Sequence, residues 1–235
     1  MNIKLNLSPN YSKKTRQKGD IKFVIIHYTG MQSEIESVKR LKNPKFKVSC
    51  HYIINRKGRI TQMVEDKKIA WHAGKSKWKR FINLNKCSLG IELVNKGHEF
   101  GYQNFSQKQI RSLINLCINL KKKYSLKKEN FLGHSDIAPL RKNDPGEKFP
   151  WKKLNAYNIG KWFKRDLEDV PFKTKNHKIL FFKNLNKIGY RYFNIYKRNV
   201  ADKKIIKSFQ RHYLPKNVTG KLDLNTLKIS HFLAK

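Results

Sequence analysis

Two short runs constrain this fold most: IKFVIIHY (21–28) and SLGIELV (88–94). Both are apolar, β-branched and too short for a buried helix, so each reads as a buried strand. HYIIN, RKG and RITQMV (51–64) read as a hairpin between them. Helices are expected to alternate with these strands. Ser33 and Glu36 form an S-x-x-E capping box ahead of IESVKRLK, a helix that ends before Pro44. Ser106 and Gln109 fit a second box, followed by Ile110, Leu113, Ile114, Cys117, Leu120 and Tyr124 at helical spacing. FPWKKLNAYNI (149–159) restarts a helix with proline near its first position. The expected fold is α/β, a mixed central β-sheet flanked by helices.

The remainder predicts a small all-α three-helix C-terminal domain. DVPFKTKNH (169–177) is polar and proline-bearing, as a linker is. KILFFKNLNKIG closes at Gly189, DKKIIKSFQRHYL stops at Pro215, and LNTLKISHFL follows the VTGK turn and a capping Asp223. The expected division is 1–168, a linker over 169–176, and 177–235. With 39% apolar residues the chain can bury a core.

Charge divides the functional readings less than its size suggests. Fifty-three Lys and Arg against 16 Asp and Glu give +37, which suits nucleic acid or an anionic wall. The lysines are spread along the whole chain beside heavy use of Asn, Ile, Phe and Tyr, a pattern compositional drift also produces. No basic helix with groove-reading spacing or RNP-like motif is present, so nucleic acid is not expected as a partner. Cys50, Cys87 and Cys117 are far apart without a CxxC pair and read as small apolar residues. The first twenty residues lack an apolar h-region, and nowhere do about 18 apolar residues run together. The chain reads as soluble, with no membrane span and no visible export route.

HSDIAPLRKNDPG (134–146) sets a histidine and two aspartates among two prolines and a glycine. Such a stretch is expected to be neither helix nor central strand, and to display its polar groups rigidly at a surface. His27 at a strand end, His134 on this loop and Asp144 ten residues later could supply two nitrogens and one oxygen to zinc, leaving a fourth position for water. Spacing alone leaves the alternative open, a hydrogen-bonded strand-end histidine and a D-P-G turn. Glu92, inside LGIELV, needs a partner if buried and none if alternation turns it outward. Lys142, two residues from Asp144, could face a developing oxyanion.

FVIIHYT, SCHYIINRKGRITQMVEDKKIAWHAG, LNKCSLGIELVN and GHSDIAPLRKNDPGEKFPW together resemble the zinc-dependent N-acetylmuramoyl-L-alanine amidases of the amidase type 2 family, particularly the AmpD/AmiD branch. The match covers about residues 20 to 160. It implies that His27, His134 and Asp144 ligate one zinc ion, that Glu92 is the catalytic glutamate, and that Lys142 stabilises the transition state. It further implies that His72 of WHAG contacts substrate and that His51 is structural. Phage-lysozyme-type relatives carry a catalytic tyrosine before that histidine; Cys50 stands there instead, leaving the base role to Glu92. Lys86 replaces a common aspartate and puts the local turn in question. LNKIGY, IIKSFQRHY and VTGKLDLNTL resemble a three-helix peptidoglycan-binding domain, with Thr219 in place of the usual aspartate of its turn.

The implied reaction is hydrolysis of the amide between N-acetylmuramic acid and L-alanine, in peptidoglycan or its muropeptide fragments, for wall turnover or recycling. A metal-free peptidoglycan-recognition module shares the fold but lacks a ligand, whereas all three ligand positions are filled here. A wall-binding tail favours the bacterial envelope, and the missing signal segment favours the cytoplasm.

Overall fold

A computed structural model describes residues 2–163 and 176–235. The expected linker lies outside the described residues, apart from Asn176. In chain order the strands are β1 (Ile3–Leu5), β2 (Tyr11–Thr15), β3 (Phe23–Tyr28), β4 (Tyr52–Ile54), β5 (Ile60–Gln62), β6 (Lys68–Ala70), β7 (Lys77–Trp78), β8 (Phe81–Ile82), β9 (Ser88–Leu93) and β10 (Phe131–Gly133). The α-helices are α1 (Glu34–Lys42), α2 (Gln107–Lys123), α3 (His134–Ile137), α4 (Trp151–Asn155), α5 (His177–Ile188), α6 (Asp202–Tyr213) and α7 (Leu224–Ala234). None of the described helices is long and apolar enough to cross a membrane.

The main sheet runs β1-β5-β4-β9-β3-β10 and is parallel at every pairing except the β4/β5 hairpin. Strand alternation divides its two central members between two jobs. Val24, Ile26, Leu89, Ile91 and Leu93 turn to one face and share a core with Ile110, Leu113, Ile114, Cys117 and Leu120 of α2. Each such fully buried Leu or Ile contributes about 1.5–3 kcal/mol. On the opposite face Phe23 and Ile25 join a second core with Phe181, Phe182, Leu185, Ile205, Phe209 and Leu227 of the C-terminal helices. Those helices cover the beginning of β3 on this face and leave its end, at His27, for other use.

Three local expectations are revised. Ser106 accepts from the Gln109 amide as a cap should, but the Gln109 side chain donates to the carbonyls of Ile54 and Val94 and so stitches α2 to the sheet instead of closing the box. The helix expected over 149–159 forms only as the short α4, with Leu154 buried within it and Ile159 buried beyond it. The 134–146 stretch is neither free of helix nor displayed. Its first four residues make the single turn α3, because Asp136 reaches back to accept from the Gly133 amide at 2.7 Å. His134, Asp136 and Asp144 are all buried.

Candidate active site

His27 and Glu92 are register partners on the parallel strands β3 and β9, one residue from the end of each. The carboxyl ends of parallel strands are where open α/β sheets place their ligand crevices. Two residues before Glu92 the same face carries Gly90, and a Cβ there would meet the His72 ring at 2.4 Å. Glycine is therefore required for His72 to lie flat against the strand. His51 completes this layer by accepting from the Gly90 amide at 3.0 Å through Nδ1.

His27 Nδ1, His134 Nδ1 and Asp144 Oδ2 converge from positions far apart in sequence. Nδ1 to Nδ1 is 2.9 Å, and the carboxylate oxygen lies 2.9 Å and 3.0 Å from the two nitrogens. The hydrogens of both rings are engaged elsewhere. His134 Nε2 faces the Ala73 carbonyl at 3.1 Å, the shorter contact, which favours a hydrogen there over the 3.3 Å approach of Arg141 Nη2. The His27 tautomer follows from a longer chain of donors. Ser88 donates its hydroxyl to the Leu84 carbonyl at 2.6 Å and accepts from His72 Nε2 at 3.2 Å. His72 Nδ1 is then an acceptor, and His27 Nε2 donates to it at 3.0 Å. Burial first, and then the His134 charge, push His27 down to about 4 against the opposing pull of Asp144, so the ring is neutral at pH 7.

The consequence is three lone pairs pointed at one another inside a buried pocket. Such an arrangement is repulsive unless a cation occupies the centre. Two atoms that are each about 2 Å from one ion lie about 3 Å from each other, which is the spacing seen here. These three residues, all buried, form a group able to hold a metal ion. Two imidazoles and one carboxylate are a borderline donor set that suits zinc.

Glu92 sits beside this pocket. Its Oε2 is buried with no hydrogen-bond partner among the described residues. Burial first, and the Asp144 charge second, push its carboxyl up to about 8, with Lys142 opposing. A carboxyl raised this way is suited to hold a proton and release it near neutral pH. Lys142 lines the same cleft, its backbone amide held by the Ala138 carbonyl at 3.1 Å. The cleft has a volume of about 510 Å³, with Trp71, His98 and Arg40 also on its walls. His72 lines it too, while its ring serves His27 from behind. The question raised by Lys86 is answered by Asn85, whose side-chain oxygen accepts from the His72 and Ala73 amides and fixes the turn.

Sequence reasoning missed several supports. Ser88 and Asn85 orient His72, Arg141 donates to the Ala73 and Lys75 carbonyls, and Asp136 anchors the loop between His134 and Asp144. Only Asp136 stood out in sequence, as one of the two aspartates of the 134–146 stretch.

The N-acetylmuramoyl-L-alanine amidase family profile matches residues 17–147. The chain is 34% identical over 231 residues to N-acetylmuramoyl-L-alanine amidase AmiD of Escherichia coli K12, covering 91% of this chain and 82% of that one. It is 34% identical over 164 residues to the 1,6-anhydro-N-acetylmuramyl-L-alanine amidase AmpD of Haemophilus influenzae, covering 62% of this chain and 86% of that one. Among solved structures, E. coli AmiD in complex with anhydro-N-acetylmuramic acid-L-Ala-D-γ-Glu-L-Lys superposes with a TM-score of 0.80 at 31% identity, covering 96% of this chain and 92% of that one. A buried pocket that wants a cation beside a proton-holding glutamate is what an amide hydrolase needs, and on these matches the chain belongs to the N-acetylmuramoyl-L-alanine amidase family.

Proposed function

We propose that this enzyme cleaves the amide joining the lactyl carbonyl of N-acetylmuramic acid to L-alanine, with anhydro-muropeptides as substrates and one zinc ion held by His27, His134 and Asp144. The meeting of His27 Nδ1, His134 Nδ1 and Asp144 Oδ2 within 3.0 Å beside Glu92 carries this reading. Zinc bound there would polarise the amide carbonyl and acidify the attacking water. Glu92 in its ionised form, which a cation in the pocket would favour, takes a proton from that water and returns it to the L-alanine nitrogen as the bond breaks. Lys142 sets its ammonium beside the developing oxyanion. His72, through the Ser88 chain, keeps His27 in the tautomer that leaves Nδ1 free. The names of the relatives favour an anhydro-sugar substrate, since one acts on a 1,6-anhydro-muramyl amide and another was solved with an anhydro-muramyl tripeptide.

A binding module without catalysis is the rival from the same fold. The filled ligand positions and the unpartnered Glu92 oxygen weigh against it. Incubation of zinc-loaded protein with anhydro-muropeptides should release free stem peptide, detected by mass spectrometry. Absence of release from any muropeptide while zinc is bound overturns the proposal.

A further inference from the structure

The loop that carries His134 and Asp144 has a far side, and that side is built by the C-terminal helices. Asp136 is 1% exposed, and a carboxylate so buried is costly unless donors complete it. One donor is local, the Gly133 amide. The other two come from 54 and 76 residues away: Tyr190 Oη–H to Oδ1 at 2.7 Å, and His212 Nδ1–H to Oδ2 at 2.8 Å. Next to it, Ser208 donates its hydroxyl to the Ser135 carbonyl at 2.7 Å. The Ser135 amide in turn donates to the Asp144 carbonyl at 2.8 Å, tying the two ligand-bearing ends of the loop together.

Both remote donors are themselves immobilised. The His212 ring stacks on Trp151 with centroids 4.1 Å apart and planes within 9°, and Tyr190 packs edge-on against Trp78 at 4.9 Å. Gly189 lets that tyrosine approach, because a Cβ at this position would meet Trp78 at 2.5 Å. The Lys79 amide also donates to the Gly189 carbonyl at 2.8 Å. A tail tethered only to find substrate would need none of these contacts.

We infer that Tyr190 and His212 are positioning residues for the metal centre, acting through Asp136 to fix the His134–Asp144 loop, so that the C-terminal helices brace the site. The inference rests on the zinc reading of His27, His134 and Asp144. It adds to any wall contact these helices make on their outer surface. Without the two side-chain donors Asp136 would keep one backbone partner, and its relief would be to swing outward, taking the turn that begins at His134 with it.

The test uses the full chain as Tyr190→Phe, His212→Leu and His212→Asn. Asparagine places an amide donor near the position of Nδ1, so it is the conservative rescue. Zinc affinity is read by competition with a chromophoric chelator, and the site geometry by the visible spectrum of the cobalt-substituted protein. Tyr190→Phe and His212→Leu are each expected to weaken zinc binding about ten- to a hundredfold, as loss of an outer-shell partner does. His212→Asn should restore it to within a few-fold, and KM should stay near the parent value while kcat falls. Ile229→Val, in the core of the same helices but away from Asp136, should leave zinc affinity unchanged.

Unchanged zinc affinity and cobalt spectrum in folded Tyr190→Phe overturns the inference, and so does an equal loss in Ile229→Val. Should His212→Leu fail to fold, Tyr190→Phe decides alone, since it deletes one oxygen and keeps the ring. Hydrogen exchange at the Ser135 amide in metal-free protein separates the two readings. Faster exchange in Tyr190→Phe supports the brace even if the parent chain were to bind no zinc; unaltered exchange counts against it.

Discussion

Asp66 and Asp144 are equally buried, each 6% exposed, yet they keep opposite company. Around Asp66 every neighbour brings its own hydrogen: Tyr52 Oη at 2.6 Å, Lys123 Nζ at 2.8 Å and Tyr124 Oη at 2.5 Å. Around Asp144 the neighbours are two imidazole nitrogens whose rings have placed their hydrogens on Ala73 and His72. Burial works against the ionised form of Asp66, but its three donors outweigh it and hold the carboxyl below its usual range. One carboxylate is completed by donors within the chain, and the other belongs to a group able to hold a metal ion. Equal burial therefore does not mean equal surroundings; the hydrogens in the shell distinguish a self-contained carboxylate from a candidate ligand.

The largest expected effect comes from removing the charge where it is incomplete. Asp144→Asn should weaken zinc binding by about a thousandfold or more and take hydrolysis with it. Metal-free protein should be no less stable for the change, because the new amide offers hydrogens to rings that lack them. Calorimetry of both metal-free forms checks this. A melting temperature well below that of the metal-free parent would mean that Asp144, like Asp66, is structural.

Glu92→Gln separates ligand from proton carrier. The amide matches the carboxyl in shape and leaves the three ligand atoms in place. Zinc affinity should hold within a few-fold while kcat falls by about 10²–10⁴. An equal fall in zinc affinity would place Glu92 in the metal's own shell and break its assignment as base.

The convergent half of the comparison was foreshadowed in sequence, and the structural half was not. His27 and Glu92 each stand near the end of an apolar run, which located both at strand ends, while the facing of Glu92 stayed open until the β3/β9 register paired it with His27. His134 and Asp144 share a loop whose proline and glycine mark it as special, and four motifs in family order pointed to them as candidates. The network behind them left no such trace. Tyr190 and His212 meet Asp136 across long separations, and their helices show only the apolar spacing that any packed helix shows. The expectation of a displayed loop failed for the same reason: without knowing what covers it, a polar stretch looks like surface. Gln109 misled similarly, since its capping pattern is local while its partners Ile54 and Val94 are distant.

Asp66→Asn is the smallest expected effect and the sharpest on the structural side. Zinc affinity and kcat/KM at neutral pH should not change, because among the described residues none that lines the cleft bonds to the Asp66 carboxylate. Stability should fall by about 2 kcal/mol, the scale of losing charge-assisted hydrogen bonds in a buried site. The Lys123 contribution is discounted because that side chain is 57% exposed and screened by water, which leaves the two tyrosines to carry most of it. A lowered carboxyl pKa stabilises the fold fully above the unfolded carboxylate value and loses that contribution as pH falls through the folded one. The parent should therefore lead the variant in urea midpoint at pH 7, and the lead should shrink once pH drops below about 4. A gap that stays constant from pH 7 to pH 3 would show that shape rather than charge holds Tyr52, Lys123 and Tyr124 around this residue, and the contrast with Asp144 would lose its electrostatic basis.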